Sequence, residues 1–134
     1  MPEEFLSDVL DGDGYRFWHL SLDQGVVRIT RCQDCRRWQW YPLVACPACG
    51  CQTWQWDDVG TSGVVHSWTR VIRPTVRRPG LEPPYVLGVI ELPQADGARL
   101  VALAVSPDED PRIGDTVQLR VRRGESESIL VFQH

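Results

Sequence analysis

The chain of 134 residues has no lysine, so all 14 of its basic residues are arginines. Set against 18 acidic residues they leave a formal charge of −4, which works against a general nucleic-acid binder, because phosphate neutralisation supplies nonspecific affinity. No apolar run approaches the ~18 residues that cross a bilayer, so no membrane partner is expected. Walker and dinucleotide glycine patterns are missing as well. Basic residues followed by an apolar stretch would mark a secretion signal, but the N-terminus carries Glu3, Glu4, Asp8, Asp11 and Asp13 instead. A cytoplasmic, reducing compartment is therefore expected.

Histidine is scarce too, with only His19, His66 and the final residue His134. His66 alternates with Val64, Trp68 and Arg70 on one predicted strand, and no carboxylate or cysteine stands where it would orient the ring. It reads as structural. The acidic loop "SPDEDPRIGD" holds Asp108, Glu109, Asp110 and Asp115 but lacks the ligand alternation and glycine of an EF-hand. It reads as a solvated loop. No nucleophile, base or open metal emerges, so the chain is not expected to catalyse a reaction alone.

Cysteine is absent from most of the chain and concentrated in "RCQDCRRWQWYPLVACPACGC", residues 31 to 51, which holds all five. Cys32 and Cys35 form one C-x-x-C, Cys46 and Cys49 form a second, and ten residues separate the pairs. This is metal-site spacing, though with a shorter linker than the ~15–20 residues of the commonest four-cysteine pattern. Two such turns facing each other make a tetrahedron of thiolates, which suits Zn2+ and leaves no position open for water or substrate. Iron in a rubredoxin-like site would use the same four ligands. Cys51 follows Gly50, outside the "CPACG" knuckle, and reads as a free thiol.

The rest of the chain is mainly β in texture. "PEEFLSDVLD" (2–11) and "YRFWHLSLDQG" (15–25) have helical spacing of apolar residues, the second stopping at Gly25. They define an N-terminal helical segment, 1–25, without a core of its own. Residues 26–58 form the metal ribbon, with Trp38 and Trp40, then Trp54 and Trp56, at the two-residue period that puts each pair on one strand face. Indoles supply the large apolar area a small ribbon needs; packing within the chain and contact with a partner are both open to them. Five strands are predicted beyond Asp58, at 63–72, 85–93, 98–105, 115–123 and 128–133, separated by Gly and Pro turns. No helix is long enough to cover an open sheet, so residues 59–134 are expected to close into a five-stranded OB-fold barrel.

The succession "FW", "RCQDC", "YP", "CPACG", "PPYVLGVIEL" and "RIGD" resembles a zinc-ribbon and OB-fold family, catalogued as domain of unknown function thirty-five. The likeness covers roughly residues 15 to 133. It implies helix, rubredoxin-like zinc ribbon and OB fold in that order, with Cys32, Cys35, Cys46 and Cys49 as metal ligands. It further implies an accessory subunit of thiolase-like enzymes that handle acyl-CoA, some of them aldolases shortening steroid side chains. Arg36 stands where the family often has glycine after the second cysteine.

Two other features bear on function. Arg70, Arg73, Arg77 and Arg78 fall in a proline-punctuated loop between the first two barrel strands, where OB folds often bind ligands, and guanidinium groups engage phosphate in bidentate fashion. Contact with the phosphates of a coenzyme A tail is one expectation, and a solvated or partner-facing loop is another. Trp18, Trp38, Trp40, Trp54 and Trp56 are the candidate partner-contact residues. The competing functions are single-stranded nucleic-acid binding, which the charge disfavours, and electron transfer through iron.

Overall fold

The computed structural model describes residues 16–78, 80–124 and 128–134. The helix expected at 2–11 lies outside the described residues. The second helical stretch is present as α1, Arg16–Asp23. Its end is a Schellman motif: Val26 N donates to Ser21 O at 3.0 Å and Gly25 N to Leu22 O at 2.8 Å. Gly25 takes φ +77°, a conformation that any Cβ would resist.

Three antiparallel strands follow: β1 (Arg28–Cys32), β2 (Trp38–Gln39) and β3 (Trp54–Asp58), in the order β2-β1-β3. The Thr30 hydroxyl, fully buried, donates to the Gln39 carbonyl and so satisfies itself inside the ribbon. Gly60, at φ +76°, turns the chain away from the ribbon while its N–H donates to Asp58 Oδ1 at 2.7 Å.

The second unit is a closed barrel of β4 (Ser62–Val71), β5 (Tyr85–Leu92), β6 (Ala98–Ala104), β7 (Thr116–Arg122) and β8 (Ile129–Gln133). Its strand order is β4-β5-β6-β8-β7. Closure comes where Ser62 to Val64 pair with Gln118 to Thr116. The expected strands agree with these to within one residue at each end. In β5 every second residue is buried, from Val86 to Leu92, so an almost wholly apolar segment still has an inner and an outer face. Gly88 is one of the inner positions. A Cβ there would lie 2.7 Å from Cε1 and 2.8 Å from Cζ of Phe132, so the absence of a side chain is what admits that ring.

Ribbon and barrel share one core. Leu22, Val27, Ile29 and Val59 cluster with the barrel residues Val65, Ile90, Leu119 and Phe132, and Trp18, Trp38 and Trp40 pack against this group. Polar ties reinforce the joint. Asp96 Oδ2 accepts from Trp38 N at 3.0 Å, and the Gln94 side-chain amide donates to Val59 O and Ser62 O at 2.9 and 2.8 Å.

Candidate metal centre

The two C-x-x-C turns are built alike. Cys32 O accepts from Arg36 N at 3.1 Å, as Cys46 O does from Gly50 N at 2.8 Å. Cys32 N donates to Arg37 O at 2.9 Å, as Cys46 N does to Cys51 O at 2.8 Å. The residue after the second cysteine must be left-handed in each turn, with φ +66° at Arg36 and +80° at Gly50. The second turn meets this demand with glycine. The first meets it with a side chain that raises the cost by about 1–2 kcal/mol.

These turns bring the Sγ atoms of Cys32, Cys35, Cys46 and Cys49 within 4.8 Å of one another. Cys32 Sγ is 3.6 Å from Cys49 Sγ, and Cys35 Sγ is 3.7 Å from Cys46 Sγ. A regular tetrahedron of sulfurs about 2.3 Å from zinc has edges of about 3.8 Å. The donor set therefore fits a closed four-thiolate ion. The first cysteine of each turn is buried and the second is exposed, so the site has an inner and a solvent-facing half.

Without an ion the four thiols compete for charge. Burial pushes the Cys46 thiol up, but the N–H groups of Ala48 and Cys49 and the thiols of Cys35 and Cys49 outweigh it and bring the group to about 7. At Cys49 the Cys51 N–H pulls down, while burial and the other three thiols push the group up to about 12. Cys32 follows Cys46: burial opposes ionisation, and the N–H groups of Cys35 and Asp34 reverse it. Cys35 follows Cys49, since the downward pull of the Arg37 N–H is overcome by burial and by Cys46 and Cys32. One or two thiolates form readily, and the remainder await a cation.

Cys51 stands apart from this set. Its Sγ lies 2.8 Å from Thr53 Oγ1 and receives the Thr53 N–H at 3.4 Å.

The aromatic residues divide. Trp54 is 1% exposed and packs with Cys32 and Cys46. As a partner-contact residue it is corrected to a core residue, because the ribbon encloses it. Strand β2 ends at Gln39, so Trp40 leaves the strand and meets Trp18 at 4.8 Å, Tyr41 at 5.1 Å and Trp56 at 5.9 Å between ring centres. Trp38 lies under the Arg31 guanidinium, 4.7 Å from it. Trp18, Trp38, Trp40 and Trp56 remain half-buried.

The loop arginines divide as well. Arg70 Nη2 pairs with Asp110 Oδ1 at 2.7 Å and its guanidinium lies 5.4 Å from the Trp68 ring, which ties it to the barrel. Arg73, Arg77 and Arg78 are exposed on the loop beyond it. A different cluster went unread in the sequence: Arg31, Arg36 and Arg37 line a cleft of about 460 Å³ together with Cys35, Trp38, Ala48, Gln94 and Asp96. Its signal was the Arg-Arg pair directly after the first knuckle.

Two knuckles converging on four sulfurs, joined to a closed five-stranded barrel, define the class: a zinc-ribbon and OB-fold protein. Family models place it further. The model described as the rubredoxin-like zinc ribbon domain of ChsH2 matches residues 21–55, and that of the ChsH2 C-terminal OB-fold domain matches residues 56–122. The chain belongs to the ChsH2 family. A solved structure described as the Ltp2-ChsH2(DUF35) aldolase is similar at a TM-score of 0.75 and 30% identity, over 88% of this chain and 91% of the other. A Thermomonospora curvata protein described as a probable enoyl-CoA hydratase alpha subunit is 30% identical over 95 residues, which is 69% of this chain. The chain spans only 28% of that relative's length.

Proposed function

We propose that the chain is a noncatalytic accessory subunit that binds a thiolase-like enzyme and supports its handling of an acyl-CoA substrate. The observation that carries this reading is the closed thiolate set. Among the described residues it is the one cluster able to hold a metal, and four sulfurs saturate a tetrahedral ion, leaving it structural. The resident ion on this reading is zinc. Membership of the ChsH2 family and the likeness to a complex described as an aldolase support a role beside an acyl-CoA enzyme. Steroid side-chain or other acyl-CoA degradation is the context this suggests. The half-buried indoles of Trp18, Trp38, Trp40 and Trp56 offer apolar area to a partner, and Arg73, Arg77 and Arg78 would meet the phosphates of a coenzyme A tail held mainly by that partner.

The test is copurification of the tagged chain from its source cells, followed by assay of the complex and of each part for carbon–carbon cleavage or formation. Activity is expected in the complex and in neither the chain alone nor the isolated enzyme at comparable rate. Turnover by the chain alone would overturn the reading. Changing Arg77 and Arg78 together to alanine should raise the acyl-CoA KM, and an unchanged KM removes the phosphate contact.

A further inference from the structure

The first knuckle does something that the second does without. Arg36 and Gly50 are equivalent by hydrogen bonding and by left-handed φ, yet only one is glycine. A strained non-glycine residue persists where its side chain is needed. The visible partner of Arg36 does not account for it: Arg36 Nη2 is 4.0 Å from Asp57 Oδ2, at the outer limit of an ion pair, with the Arg36 side chain half exposed. The same carboxylate oxygen is shared with Arg31 at 3.9 Å and with the Gln55 amide at 2.6 Å. Such pairs contribute little.

What Arg36 does face is the metal centre. Together with Arg31 and Arg37 it lines the cleft that also contains Cys35 and Ala48, and so borders both knuckles on their solvent side. Arg31 is fixed there by donating from Nε to Arg36 O at 2.7 Å. The carboxylates around this wall are Asp34 within the knuckle, Asp57, and Asp96, of which Asp96 is occupied by the Trp38 N–H. A divalent ion with four thiolates carries a formal charge of −2, and half of its sulfurs are exposed. The cationic wall in an otherwise acidic chain has the sign to match.

We propose that Arg36, with Arg37 and Arg31, forms a charge-compensating wall over the loaded four-thiolate site, and that its role is retention of the ion. Positive charge beside Cys35 lowers the basicity of its thiolate. Protonation of an exposed ligand, the first step of release, then becomes slower. This inference rests on the reading that the four cysteines hold a divalent ion.

The test uses the purified metal-loaded chain and follows transfer of the ion to a neutral pyridyl chelator, since an anionic one would itself be drawn to the arginines. Arg36→Gly combined with Arg37→Gln should speed release about ten-fold, the size of one charge interaction at intermediate dielectric. It should also move acid release to higher pH. Arg36→Lys keeps the charge and should restore slow release. High salt should accelerate release from the wild type more than from the double variant. Thermal stability of the loaded Arg36→Gly chain should not fall, which separates retention from folding. Equal release rates, or a lysine variant behaving as the glycine one, would sink the proposal while leaving the metal reading intact. A wild-type chain that purifies with no divalent ion removes the charge to be balanced, and both readings go together.

Discussion

Removing the ion should unfold the ribbon and leave the barrel standing. Beneath the ribbon's metal face only Cys32, Cys46 and Trp54 are buried, with Phe17, Cys51 and Trp56 packed against them. Losing a buried aromatic of this size costs about 3–5 kcal/mol. A structural thiolate zinc contributes about 10–16 kcal/mol at neutral pH, so the ion outweighs the apolar contacts on this face several-fold. The barrel has its own interior, in which Val65, Val86, Ile90, Leu92, Leu100, Val117 and Leu119 are at most 1% exposed. It would lose the cover given by Ile29, Trp38 and Trp40, roughly one large side chain's burial or about 2 kcal/mol. At about 4–8 °C per kcal/mol for a domain of this size, its melting temperature should fall by about 10 °C. Chelation, or Cys46→Ser, supplies the perturbation. Amide exchange should show β1 and β3 losing protection while β5 and β6 keep it, and the emission of Trp54 should shift to the red. A metal-free chain whose β1 and β3 amides stay as protected as those of β5 would refute the claim that the ion holds the ribbon together.

Gly88→Ala should destabilise the barrel by about 1–3 kcal/mol, the cost of overpacking a filled core, because the new Cβ meets the Phe132 ring at 2.7–2.8 Å; urea titration measures it, and a change near zero contradicts the packing. Metal affinity should rise with pH. Cys35 is raised and Cys49 stands at about 12 in the ion-free chain, so at least these two hold protons at neutral pH and must release them on binding. Affinity should therefore climb about a hundred-fold or more per pH unit, more steeply still below about 7, where Cys46 is also protonated. A slope shallower than ten-fold per unit in competition titrations would contradict it.

The fold and the ligands were legible because each has a local signature. Paired C-x-x-C turns name their own sulfurs, and alternation in "TVQLRVR" names the inner face of β7, where Val117 and Leu119 are buried. Tertiary placement was not legible. Nothing in "WQW" says that Trp54 closes over the metal ligands while Trp40 stacks on the helix residue Trp18. Nor does the loop sequence tell that Arg70, unlike Arg73, is taken by Asp110 some 40 residues later. The cleft arginines were hidden for the same reason, since Gln94 and Asp96 reach them from the barrel. Arg36 is the instructive case: the departure from glycine was visible as a letter, but only the equivalence of two hydrogen-bonded turns shows that the letter carries strain.

The shared core gives the metal centre its relevance to a partner. If ribbon and barrel were beads on a string, the ion would stabilise only its own knuckles and a partner could ignore it. Here Trp38 belongs at once to the ribbon, through its pairing with Arg31, and to the joint, through Asp96. Gln94 locks the connecting residues Val59 and Ser62 to the barrel. The four thiolates thus fix the orientation of β1 and β2, these fix Trp38 and Trp40 against the barrel core, and the half-buried indoles are presented at a set angle to the β4–β5 loop. Preorganised surfaces lose less entropy on association. An ion with no chemistry of its own therefore still governs binding: its removal should weaken partner association measured by calorimetry even though every residue outside the ribbon is unchanged. Association of undiminished strength after chelation would place the contact surface on the barrel alone.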